Sequence, residues 1–192
     1  MPKSKFTLLA AVGLLALAAA GSSAHALKIE LKDVAADRVE RQKLANLGAL
    51  PLPGTPAYQG AWQDTIKAAE EANEPGRFTA FIGYEWTSNT GGNNLHRNVI
   101  FRDNGDKASQ VEPYTTFPPL GSDDPVDLWK WMTIYEQKTG GDVVAIGHNG
   151  NVSNGQMFPM VEAFGRKIDR ANAEERARWE RVYEVTQTKG TG

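Results

Sequence analysis

Glu85 is an acid inside an aromatic, apolar run, FTAFIGYEW. Such a carboxylate has to be paired, protonated or bound to a cation, because burying an unpaired charge is very costly. His148 ends a second apolar run, DVVAIGH, just before a loop rich in asparagine and glycine. His96 opens the alternating segment HRNVIFR, in which His96, Asn98 and Ile100 fall on one face. Two imidazoles and a carboxylate are donors that suit a divalent transition metal. Each residue also has a plainer reading: Glu85 as a strand-rim acid bonded to a loop amide, His148 as a tie for the loop that follows it. Three donors without fixed local spacing specify a metal only if the fold brings them together.

The elements around them decide that. If 78–86 and 96–102 form an antiparallel hairpin, the start of the second strand lies beside the end of the first. Glu85 and His96 then share a rim, and a neighbouring strand over 143–148 delivers His148 to it. The loops 87–94 and 149–155 would line that rim. From them Asn93, Asn94, Asn149 and Asn151 could meet substrate oxygen atoms, and Arg97 a phosphate or carboxylate. Asparagine and glycine also fill tight loops for conformational reasons alone. Before the hairpin, Trp62, Ile66 and Ala69 recur at helical spacing until Pro75-Gly76. After it, Asp124-Pro125-Val126-Asp127 combines a capping aspartate, a proline at the first helical position and an acid in the first turn. Leu128, Trp129, Met132 and Tyr135 continue as an apolar stripe to Gly140-Gly141. A charged helix near 171–180 and a last strand over 182–187 follow. This alternation predicts an α/β layer or barrel with mostly parallel strands and one β-hairpin.

Composition narrows the chemistry. The 192 residues are 41% hydrophobic and 23% charged, as in ordinary globular proteins. Residues 1–26 read as a secretory signal peptide: Lys3 and Lys5, an apolar stretch, then Ala24-His25-Ala26 as the cleavage pattern. The apolar stretch is short for a membrane span, so no stable anchor is expected after cleavage. Removing these 26 residues, with two lysines and no acids, leaves 166 residues and takes the formal charge from −2 to −4. That charge gives no basic footprint for nucleic acid. There is no cysteine, which excludes disulfides, thiolate metal sites and a cysteine nucleophile. His25 leaves with the signal, so His96 and His148 are the only imidazoles of the mature chain. Residues 27–56 form a poorly determined lead-in that ends in a proline-rich connector. No Walker loop, dinucleotide fingerprint, HExxH or EF-hand pattern is present, and 150–155 is one residue too long for a nucleophile elbow.

The segments FTAFIGYEWTSNTGGNNLHRNVIFRD, AIGHNGNVSNGQMF and WERVYEVTQTKG resemble an exported bacterial family catalogued as domain of unknown function 3604. That family is similar to the PHP-type metal-dependent phosphoesterases, which use a distorted βα barrel. The resemblance covers about 57–192. It implies a partial PHP-like barrel and a divalent metal (zinc, manganese or iron). Glu85 would stand at a carboxylate ligand position, and His96 and His148 at the histidine positions that follow. It also implies a small phosphoester-type substrate and a periplasmic or secreted location. The family's early His-x-His strand and its Asp-His pair have no counterpart here, and its pattern continues beyond VTQTKG. The expectation is therefore an exported fragment of a metal-dependent hydrolase with an incomplete ligand set. Two alternatives stand beside it: a non-catalytic exported binding protein or decayed remnant, and half of a split enzyme completed by another chain.

Overall fold

In a computed structural model of the chain, residues 51–188 and 190–191 are described. The segment 1–26 expected to be a signal peptide, and most of the 27–56 lead-in, lie outside them.

Helix α1 (Pro56–Ala72) begins where Thr55 caps the amide of Tyr58 and Pro56 takes the first turn, and it buries Trp62 and Ile66. Strands β1 (Gly83–Trp86) and β2 (Arg97–Phe101) form the expected antiparallel hairpin, with Trp86 opposite Arg97 and Glu85 opposite Asn98. A single helical turn, α2 (Gly105–Ala108), follows. Helix α3 (Pro125–Thr139) starts on Asp124, whose carboxylate accepts from the Val126 amide. It stops at Gly140, which takes the left-handed conformation that glycine adopts without steric cost (φ 62°). Its buried residues are the stripe read from the sequence: Leu128, Trp129, Met132 and Tyr135.

Strand β3 (Val143–Gly147) adds to the other edge of β2, giving the order β1-β2-β3. A two-residue hairpin, β4 (Glu162–Ala163) with β5 (Arg166–Lys167), precedes helix α4 (Arg170–Trp179), capped by Asp169. The chain then returns to the sheet at Tyr183, in a parallel bridge to Gly147. It closes with β6 (Thr186–Gln187) against β7 (Gly190–Thr191).

Three expectations need correction. The strand read over 78–86 shortens to Gly83–Trp86; Phe78 and Phe81 are exposed, so that end of the aromatic run is not core. The last strand reduces to the Tyr183 bridge and the β6–β7 hairpin. The named strands pair antiparallel throughout the described residues, where mostly parallel pairing was expected. The reason lies in the path between β2 and β3. The irregular stretch 109–123 carries the chain back along the sheet to the far rim, where Asp123 accepts a hydrogen bond from Ser88 beyond the end of β1. Helix α3 then descends to the end of β2, where Tyr135 donates to Asp103 and Lys107 reaches Gly140. That loop adds one reversal to an ordinary βαβ crossover, and β3 enters opposed to β2.

Strand alternation gives the sheet two unlike faces. Trp86, Val99, Phe101, Val143 and Ala145 pack with Trp62, Leu128, Trp129, Met132, Tyr135 and Trp179 in one cluster beneath α1, α3 and α4. Phe101 meets Tyr135 edge to face at 5.0 Å, an arrangement the ring quadrupoles favour, and lies tilted against Trp62 at 5.6 Å. Gly83, Glu85, Asn98, Ile100, Val144 and Ile146 occupy the opposite face and are half-buried.

Candidate functional site: the histidine rim

The pairing of Arg97 with Gly147 makes His96 and His148 the next cross-strand pair, and the His148 amide donates to the His96 carbonyl at 2.9 Å. Their rings lie 6.4 Å apart. Glu85 sits opposite Asn98, so it is the diagonal neighbour of His96, within reach of a long side chain. Its Oε1 is 2.7 Å from His96 Nδ1. The hairpin and β3 thus bring all three residues to one rim.

His96 is buried and held on both sides. Its Nε2 is 3.0 Å from Asn89 Oδ1, and its Nδ1 also lies 3.2 Å from the side-chain nitrogen, Nδ2, of Asn149. A neutral imidazole donates from one nitrogen only, whereas an imidazolium donates from both. Burial pushes the Glu85 carboxyl up. The hydrogen bond from His96, the positive charges of His96 and His148 when protonated, and the Thr87 hydroxyl outweigh that and hold it below the ordinary carboxylate value.

His148 is held differently. Its Nδ1 lies 3.1 and 3.0 Å from the two Glu184 oxygens, and Glu184 Oε2 also accepts from the Asn149 amide at 3.1 Å. The Tyr183 bridge carries Glu184 there. Asn149 takes a left-handed conformation (φ 63°), which asparagine tolerates better than most residues, and its buried side chain turns back to His96. Gln187 in β6 donates to the Asn149 side-chain oxygen.

The remaining sequence candidates divide. Asn149 stands at the centre of this network. Asn151 is at its edge, its side-chain oxygen 3.5 Å from Gln187 Nε2. Asn94 joins the two loops through its amide and the Val152 carbonyl, while the Asn93 side chain closes its own turn on Thr90. Arg97 is not at the rim. It points to the core face, 1% exposed, with its guanidinium donating to Glu180, Leu95 and Met157 and lying 6.0 Å from the Trp86 ring. A phosphate-binding role for Arg97 is therefore corrected: next to His96 in an alternating strand, it has to face the other way.

Asn89, Glu184 and Gln187 were missed as site residues. Glu184 had a signal in the sequence, an acid flanked by Tyr183 and Val185, which is the pattern that singled out Glu85. Its partner lies 36 residues away in the chain and could not be read.

The donor types suit a divalent ion, yet among the described residues no group of three or more His, Asp or Glu side chains is close enough to hold one. The site instead consists of two acid–imidazole pairs bridged by Asn149. A shallow cavity of about 480 Å³ opens elsewhere, beside α4, lined among others by Phe158, Arg176, Glu180 and Tyr183.

Residues 8–192 match the family described as "Protein of unknown function (DUF3604)". The chain belongs to this family. The DUF3604 match begins well before Ala57, so it includes the 27–56 segment on which the three motifs are silent. No curated protein and no solved structure matches the chain.

Proposed function

We propose that this DUF3604 chain contributes ligands to the divalent-metal site of a hydrolase, with a small phosphoester-type substrate. Glu85, His96 and His148 would hold the ion. The observation that supports this is the convergence of Glu85 with both histidines that follow the signal segment on one strand-end rim, reached from three separate strands. A bound zinc, manganese or iron would supply Lewis acidity and a water of lowered pKa. The chain's own groups would do the rest. Glu184 and Asn89 hold the rings, Asn149 couples them, and the two loops, one bearing Asn93 and Asn94 and the other Asn151, present amides to a substrate. The sheet is read as one wall of a distorted βα barrel, with the parallel Gly147–Tyr183 bridge as the feature in its favour. Residues 1–26 support export to the periplasm or beyond.

A second reading takes the two pairs as structural clasps in an exported binding protein. The spacing of the donors, too wide as they stand for a three-ligand group, favours it. Calorimetric titration with zinc and with manganese separates the two. The hydrolase reading expects saturable binding that His148→Ala removes. Failure of the parent protein to bind either ion leaves the clasp reading.

A further inference from the structure

The two histidines of the rim differ in what their ring nitrogens meet. His96 has an oxygen acceptor at each nitrogen, Glu85 at Nδ1 and Asn89 at Nε2. His148 has a carboxylate at Nδ1 only, and its Nε2 has no hydrogen-bond partner among the described residues. A carboxylate facing one nitrogen of a neutral imidazole holds the proton there, leaving the lone pair on the other nitrogen. Glu184 is itself held: its Oε2 accepts from the Asn149 amide, and the Glu184 amide donates to the Gly147 carbonyl at 3.4 Å. Tyr183, one residue earlier, packs edge to face on Phe158 at 5.0 Å. Its hydroxyl also lies where a side chain at position 150 would project. The segment is thus pinned on both sides of the histidine loop.

We propose that Glu184 is a positioning residue that fixes His148 as the Nδ1–H tautomer, making Nε2 the nitrogen presented to a ligand. Its use toward a metal rests on the site reading above; the tautomer does not. An acid behind an imidazole is the usual way such a ring is oriented and made more basic toward an ion, and its loss typically weakens metal affinity about 10–100-fold.

Long-range ¹H–¹⁵N correlation on the ¹⁵N-labelled, metal-free chain, at a pH where the rings are neutral, distinguishes the two tautomers; His148→Ala assigns the signals. The expected result is the Nδ1–H pattern for His148 in the parent protein. In Glu184→Ala it shifts towards Nε2–H, and zinc affinity falls about 10–100-fold. An Nε2–H pattern in the parent, or an Nδ1–H pattern unchanged in Glu184→Ala, overturns the proposal. Should Glu184→Ala fail to fold, the parent spectrum decides alone. The expected tautomers with no zinc binding to the parent would uphold Glu184's role and remove the metal reading.

Discussion

His96 and Arg97 are neighbours in sequence, and each is paired with a glutamate, yet the two pairs have little else in common. Arg97 faces the helices, where its pair with Glu180 at 3.0 Å leaves both side chains 1% exposed. Trp129 donates to the same Glu180 oxygen at 3.0 Å, while the other, Oε2, is buried without a hydrogen-bond partner among the described residues. His96 faces the opposite way, and its partner Glu85 keeps 31% of its side chain exposed. The first pair is locked by desolvation: without Glu180 the Arg97 charge would be left buried and uncompensated. The second borders water and joins groups whose protons can move. Acid–base pairing alone therefore does not mark a site; exposure and a base able to change protonation state distinguish the rim from the core.

The comparison is most exposed to Glu180→Ala. It leaves the Arg97 guanidinium buried without a counter-charge and should cost about 3–5 kcal/mol in urea denaturation. A loss under about 1 kcal/mol would put the buried pair in the same class as the rim pair. Glu85→Gln should cost about 1 kcal/mol or less in the same assay, because its half-open surroundings screen the pair. Under the proposed function it should also weaken zinc or manganese binding more than tenfold. A large stability loss with metal binding intact would make the rim a structural feature.

The smallest effect concerns a third carboxylate, Asp103, at the other end of β2. Burial pushes its carboxyl up. Hydrogen bonds from the Asp142 amide, Lys107 and Tyr135, together with the Lys107 charge, bring it below its ordinary 3.8. A group lowered on folding adds stability above its unfolded value and loses it as the pH falls through the folded one. The parent protein should therefore lose stability below pH 3.8 more steeply than Asp103→Asn, read as unfolding midpoints against pH. Parallel acid limbs would show that Asp103 contributes nothing through its charge.

Helix α3 was legible almost to the residue, because capping aspartate, proline, apolar stripe and terminal glycine are all local signals. The β1–β2 hairpin, and with it the meeting of Glu85 and His96, followed from alternation plus a turn-rich loop. Hydrophobic runs give no strand direction, however. The reversal imposed by 109–123 sets β3 antiparallel to β2, and that direction is what carries His148 to the rim beside His96.

The sequence by itself determined the supply of chemistry: no thiol, two imidazoles beyond residue 26, and acids at 85 and 184 set among apolar residues. It also determined family membership, through residues 8–192. Only the tertiary structure decided the partners. Arg97 went to Glu180 and His148 to Glu184, across 83 and 36 residues. Partnership at such separations depends on which strand face meets which returning segment, and no local pattern encodes that.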